Sequence, residues 1–351
     1  MNSQFQFPKY KKRNIKRFSN IIATGVYLPE RILTNQQIIN EHGLSMTDGV
    51  IRKSIGVEQR RAVQDGQTDS DVLLGAATIC LERAGLKAED LSKLLVTKFL
   101  GDNILPMTAA QVQKKLDSQL AFHAVDIEGG INAFLTSLDL STRYISTTQD
   151  DEYYILILSG GAQSLAVGKS DPRVAFLFGD GAGAVLVAPA QEAHFLASYF
   201  YTNYEYYDMA TSRKLKMDER LSDMIYEDEQ YAMLYNLYQM ENWKDAAEFY
   251  AQAARVTRDN LLAESNLKMQ DIDLVLVTEN NQKIRELALE AIGVPEEKSL
   301  TVLREYGNTM SAMLPILLNK ALQNNNVQSG QHIMLISFGE GVSGGGMIYR
   351  V

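Results

Sequence analysis

The sequence predicts an α/β protein, and three observations carry that prediction. From about residue 20 onward, short apolar strand-like runs alternate with amphipathic helical patterns. The alternation comes in two similar halves, 20–188 and 189–351, with no short-period repeat between them. Of the 351 residues, 46% are hydrophobic, enough for a large core and sheets that are mostly buried.

In the first half, strand-like runs lie at Asn20–Tyr27, Leu94–Thr97, Ala121–Ile127, Tyr154–Ser159 and Ala184–Val187. In the second they lie at Phe195–Tyr201, Leu274–Val277, Leu300–Leu303, His332–Phe338 and Gly346–Arg350. Helical periodicity fills the intervals, as in Val72–Ala84 with its Gly85 stop and in Ala246–Glu264. A stretch rich in tyrosine and charge near 195–240 predicts a helical insertion over the body, its tyrosines engaged in ordinary packing.

Composition narrows the function classes. The formal charge is −9, yet residues 1–19 hold Lys9, Lys11, Lys12, Arg13, Lys16 and Arg17 and no acid. The body is therefore strongly acidic, which argues against nucleic-acid binding, and the basic arm is expected to be a solvated tail. No apolar run approaches the roughly 20 residues of a membrane span. The N-terminus has no apolar core of a secretory signal. A single cysteine leaves no intramolecular disulfide and fits a reducing, cytoplasmic setting. That residue, Cys80, falls on the apolar face of a helical pattern, where an inert core thiol is expected. His42, His123, His194 and His332 show no metal-ligand spacing, and no cofactor is expected.

The string Phe178-Gly179-Asp180-Gly181-Ala182-Gly183-Ala184 is not a phosphate loop, because it lacks the Lys-Ser/Thr ending and the strand–loop–helix order. It does closely resemble the mid-chain segment of β-ketoacyl-ACP synthase III enzymes. Other segments match that family in order: Ala23–Glu30, Ser54-Ile55-Gly56-Val57 with Arg60 and Arg61, Ala84–Asp90, Tyr306-Gly307-Asn308-Thr309, and Phe338-Gly339-Glu340-Gly341. The resemblance implies a thiolase-like, five-layered α-β-α-β-α body, usually a dimer, that joins an acyl thioester to malonyl-ACP. Its chemistry needs a cysteine at a helix N-terminus, a histidine, an asparagine and an oxyanion hole.

Against that pattern the chain departs at the positions that matter most. Asp126 and Phe134 keep the family spacing around the nucleophile, which places Ile131 at the cysteine position, and isoleucine has no nucleophilic atom. Gapless alignment of Asp273–Ile284 places Thr278 at the histidine. The asparagine survives as Asn308. Val50 and Ser54 stand where family members clamp the adenine of CoA with Trp and Arg. Glu340 replaces a glycine beside Gly341 in the last signature, near the second oxyanion donor. Glu128, Glu279 and Glu340 border the catalytic segments, either as a new acid/base set or, as preferred, as carboxylates turned to solvent or lysines.

Two functional expectations follow from the resemblance. The first is a non-condensing partner subunit, a homodimer or a heterodimer with an active ketosynthase III-like protein, that binds an acyl carrier protein or acyl thioester. The alternative is an acyltransferase or decarboxylase acting without a covalent intermediate, using Asn308 and the pocket around Phe134, Glu279 and Gly341.

Overall fold

A computed structural model of the chain describes residues 8–9, 17–103, 105–118, 121–165, 172–204, 210–211, 239–240, 243–339 and 343–351. In chain order the strands are β1 (Phe18–Tyr27), β2 (Arg31–Thr34), β3 (Gln59–Ala62), β4 (Leu91–Thr97), β5 (His123–Ile127), β6 (Tyr154–Gly161), β7 (Gly181–Ala190), β8 (Phe195–Thr202), β9 (Ala210–Thr211), β10 (Gln239–Met240), β11 (Leu274–Val277), β12 (His332–Gly339) and β13 (Ser343–Arg350). The helices are α1 (Asn35–His42), α2 (Asp48–Ser54), α3 (Asp69–Ala84), α4 (Thr108–Lys115), α5 (Ala133–Thr147), α6 (Pro172–Ala175), α7 (Trp243–Ser265), α8 (Gln282–Ile292), α9 (Leu303–Tyr306) and α10 (Met313–Gln323).

Two mixed sheets repeat one topology. The first runs β1-β7-β6-β4-β5 and the second, from the equivalent edge, β8-β13-β12-β11. In each, the last-formed pair is antiparallel and the inner crossover pair, β4–β6 or β11–β12, is parallel. A β5 counterpart is reduced to a single parallel bridge between Val275 and Ser299. The strand expected at Leu300–Leu303 therefore does not form. The backbone N–H groups of Val302 and Leu303 donate to the Glu279 carboxylate at 2.8 and 3.0 Å, and Leu303 opens α9. Apolar residues alone did not make a strand once a carboxylate had captured its donors.

Helices α5 and α10 lie between the sheets. Phe134, Leu138, Met313 and Leu317 pack there with Leu95, Val185, Leu276 and Leu335. Outside the first sheet, α3 and α4 bury Val72, Leu73, Ala76 and Val112 against Leu94 and Leu156. Outside the second, α7 and α8 bury Phe249, Ala253 and Ile284 against Ile336 and Phe338. The result is a five-layered α-β-α-β-α body of thiolase type. Cys80 is buried in the α3 layer, and burial pushes its thiol up to about 12, which keeps it protonated and unreactive.

The sequence signatures meet in space. Phe178 and Asn308 form a parallel bridge, Asn308 N–H donates to Leu177 O at 2.8 Å, and Gly179 N–H donates to Asn308 O at 3.1 Å. A Cβ at Gly179 would strike Tyr306 O, and a Cβ at Gly307, whose φ is +69°, would come within 2.7 Å of Leu177 O. Glycine is thus required on both sides of this crossing. Asp180 accepts from Val63 N–H, Ser164 N–H and Ser164 Oγ at 2.5–2.8 Å, so it fastens three segments. Arg60, also buried, donates to Leu33 O, Asn35 Oδ1 and Phe176 O, and burial lowers its guanidinium to about 10.

Two sequence expectations need correction here. The tyrosine-rich segment near 195–240 does not begin as a helix, because Phe195–Thr202 pairs with β13 as an edge strand. Alternation explains it: Phe195, Ala197, Tyr199 and Tyr201 are buried, and the residues between them are more exposed. Residues 205–209 and 212–238 lie outside the described residues. The basic arm, in turn, touches the body where it is described. Tyr199 Oη donates to Pro8 O at 2.7 Å, and Arg17 pairs with Asp151 and donates to Thr148 O. Among the described residues no helix is long and apolar enough to cross a membrane, and no group of three or more His, Cys, Asp and Glu side chains stands together as a metal site.

Candidate active site

The polypeptide enters α5 through a 3₁₀ turn, Gly130–Asn132, that places Ile131 at the head of the helix. Gly130 takes a φ of +56°, the left-handed geometry that lets the chain reverse from β5 into the turn. The Ile131 side chain is buried and lies against Gly339 at the end of β12, where an added Cβ would collide with its Cγ2. Ser337 Oγ donates to Ile131 O at 3.4 Å. This head of a helix is where unpaired N–H groups favour an anion, but the side chain offered there is a hydrocarbon.

Thr278 follows β11 and is fully buried. Its Oγ1 donates to Phe338 O and accepts from Phe338 N–H, both at 3.2 Å. The hydroxyl is therefore consumed in extending the β11–β12 pairing, and it supplies no titrating group. Asn308 is buried as well. Its Oδ1 accepts from Met310 N–H at 2.8 Å, and its Nδ2 makes one long contact, 3.5 Å, to Asn280 O. Met310 carries a φ of +54°, so Asn308 secures a strained turn at the entrance to α10. Three further polar atoms, Asn132 Oδ1, Asn280 Oδ1 and Thr309 Oγ1, are buried without a partner among the described residues.

Glu279 overturns the expectation of a carboxylate turned to solvent or to lysine. It is wholly buried, Arg285 Nε lies 3.0 Å from its Oε1, and its other oxygen holds Val302 and Leu303. The Arg285 contact is close but not aligned as a hydrogen bond. Burial pushes the Glu279 carboxyl above its usual range, against the opposing pull of the Thr301 hydroxyl, Val302 N–H, Arg285 and Leu303 N–H. Its neighbours tie it into the scaffold. Glu128 stands exposed at the start of the turn, Phe134 is fully buried in the central core, and Glu340 and Gly341 lie outside the described residues.

Val50 and Ser54 come together with residues far away in the sequence. They line a cavity of ≈ 530 Å³ with Lys53, Asn281 and Lys283. Asn281 caps α8 by accepting from Ile284 N–H at 2.9 Å, which sets the start of that helix on the cavity wall. Gln282 N–H donates to Ile55 O at 3.0 Å, and a Cβ on Gly56 would meet the Gln282 side chain, so the α2 and α8 walls are fastened together. Lys53 and Lys283 were not singled out by sequence. The only hint was their proximity to the clamp position Ser54 and to the Thr278 segment.

Comparison with known proteins agrees with this architecture. Residues 125–203 match the family described as 3-oxoacyl-[acyl-carrier-protein (ACP)] synthase III, and residues 262–351 match its C-terminal family. The β-ketoacyl-[acyl-carrier-protein] synthase III of Geobacillus kaustophilus is 29% identical over 332 residues, covering 95% of this chain and 98% of that protein. Its counterpart in Clostridium perfringens is 28% identical over 334 residues, covering 95% and 99%. Among solved structures, the synthase III of Thermus thermophilus superposes with a TM-score of 0.82 at 25% identity, covering 94% of this chain and 98% of that one. The priming β-ketosynthase of the R1128 polyketide pathway superposes at 0.84 with 19% identity, covering 97% and 98%, a likeness of fold. The chain is a 3-oxoacyl-[acyl-carrier-protein] synthase III-like protein with the thiolase-type fold.

Proposed function

We propose that this protein is a non-condensing member of its group, a subunit that holds an acyl or carrier-borne substrate without forming an acyl-enzyme. The observation that carries the proposal is Ile131 at the head of α5, packed on Gly339. Covalent acyl transfer needs a thiolate or hydroxylate at that point, and a buried sec-butyl group supplies neither. Thr278 supports the same reading, because its hydroxyl is engaged with Phe338 and carries no positive charge toward an enolate. The ≈ 530 Å³ cavity beside Val50 and Ser54 leaves room for a substrate arm at the surface.

A dimer, either with a second copy or with an active ketosynthase III-like subunit, fits the architecture. Strand β5 forms one edge of the first sheet, and such an edge invites pairing with a second sheet. The alternative of non-covalent acyl transfer or decarboxylation draws on one observation, the Asn308 Nδ2 whose contact of 3.5 Å leaves donor capacity.

Mass spectrometry after exposure to acyl-CoA and acyl-ACP tests the central claim. The expected result is an unmodified chain and no β-ketoacyl product with malonyl-ACP. A stable adduct on residues 126–134 would overturn it. Decarboxylation of malonyl-ACP that disappears in Asn308→Ala would favour the alternative.

A further inference from the structure

The cavity between α2 and α8 has a chemistry of its own. Its described lining consists of one apolar side chain, Val50, two ammonium groups, Lys53 and Lys283, the Ser54 hydroxyl and the Asn281 carboxamide. No aromatic face and no guanidinium is among these residues. A nucleobase is held by stacking on a flat π surface or guanidinium, and none is supplied. A phosphate needs only compact cations and hydrogen-bond donors.

The surrounding charges leave the two lysines directed to a ligand. The nearby acids are already taken: Asp48 pairs with Arg52 at 2.7 Å, and Glu58 is shared by Arg52 at 2.7 Å and Arg304 at 2.8 Å. The Arg304 contact, more than any other, holds the Glu58 carboxyl below its usual range, so it stays ionised and occupied. Among the described residues Lys53 has no carboxylate partner. Ser54 Oγ donates to Val50 O at 2.7 Å, which turns its oxygen into an acceptor at the rim. One residue inward from Asn281, the Asn280 carboxamide oxygen is buried without a partner, an acceptor that an amide N–H would satisfy.

We propose that Lys53 and Lys283 are the specificity-determining pair of this cavity, and that it takes a phosphate-headed, amide-bearing arm while making no use of a nucleotide. The ligand class is then a phosphopantetheine arm presented by a carrier protein, and coenzyme A gains nothing from its adenosine. This inference rests on the reading of the protein as a binder of carrier-borne substrates, and it adds which residues choose the ligand.

Calorimetric titration of the whole protein with 4′-phosphopantetheine and with coenzyme A tests it. The two probes are expected to bind within about threefold of each other. Lys53→Ala with Lys283→Ala is expected to weaken both by about tenfold at low salt, a loss equivalent to roughly 1.4 kcal/mol that shrinks as salt screens the charges. Installing a flat ring and a guanidinium, Val50→Trp with Ser54→Arg, is expected to raise affinity for coenzyme A alone. Circular dichroism confirms that each variant is folded, as expected for changes on this open rim. Coenzyme A binding ten times tighter than 4′-phosphopantetheine, an unchanged lysine variant, or no saturable binding of either probe would each overturn the proposal. None of these outcomes bears on acyl-enzyme formation, which mass spectrometry reads separately.

Discussion

The two central helices begin alike, and their difference is instructive. Each is entered through a 3₁₀ turn, Gly130–Asn132 before α5 and Met310–Ala312 before α10. Each turn opens on a left-handed residue, φ +56° at Gly130 and +54° at Met310. Glycine takes that geometry without steric cost, whereas methionine incurs about 1 kcal/mol or more. At α10 the cost is offset by Asn308 Oδ1, which accepts from Met310 N–H. At α5 the fold therefore depends on backbone, and the side chain of residue 131 is free of any structural duty except packing. At α10 the fold depends on the polar side chain itself. The survival of Asn308 is then explained by architecture alone and does not by itself argue for catalysis.

The sharpest way to break this comparison is to attack the scaffold behind α10. Glu279→Ala leaves Arg285 as an uncompensated buried charge and frees the N–H groups of Val302 and Leu303. A loss of about 3–5 kcal/mol in urea unfolding is expected. A loss under 1 kcal/mol would show that water reaches this pair and that the α9 turn stands without it. Asn308→Ala comes next, at about 2–3 kcal/mol, because it orphans the Met310 N–H in a turn that already carries strain. Were this variant as stable as the parent but altered in malonyl-ACP decarboxylation, the architectural account of Asn308 would fail.

The first half of the molecule buries a carboxylate in a different way, and pH separates the two. Asp69 is 7% exposed and accepts from Ala162 N–H, but the neighbouring acids Asp102 and Asp180 oppose its charge. Burial above all raises its carboxyl from 3.8 to about 6. The folded state thus binds the proton more tightly than the unfolded state, and this group's contribution to stability falls as pH rises through that interval. A decline of about 2 kcal/mol between pH 4 and pH 6 is expected, and it should vanish in Asp69→Asn. Chemical denaturation at several pH values reads both. Thr278→Val is the mildest change, expected to cost about 1 kcal/mol for the hydrogen bonds with Phe338. A larger loss would mean that the hydroxyl supports more than the local pairing of β11 with β12.

Much of the fold was visible in the residues because its constraints are local. Dense glycine and alanine at 178–184 mark the strand and crossing where chains approach closely, and the Gly183 position abuts Pro315 of α10. The alternation of Phe195, Ala197, Tyr199 and Tyr201 marks an edge strand despite the tyrosine-rich context. What stayed hidden depends on pairings distant in sequence. Leu300–Leu303 has the composition of a strand, and only the Glu279 carboxylate diverts it. Lys53 and Lys283 are 230 residues apart, so nothing local announces that they share a cavity. Asn308 was identified at its position, but its hydrogen bond to the strained Met310 turn could be found only in three dimensions.

The contact between Ile131 and Gly339 works in one direction only. A side chain of any size at 339 strikes Ile131 Cγ2, so that position cannot grow while isoleucine stays. Residue 131 can shrink without collision, leaving a void at the head of α5 at the price of some packing. In evolutionary terms the pair behaves as a ratchet that is loose toward smaller residues and locked against larger ones. A chain with this arrangement keeps open the route to a thiol or hydroxyl at 131, while any bulkier plug must first find a way past Gly339.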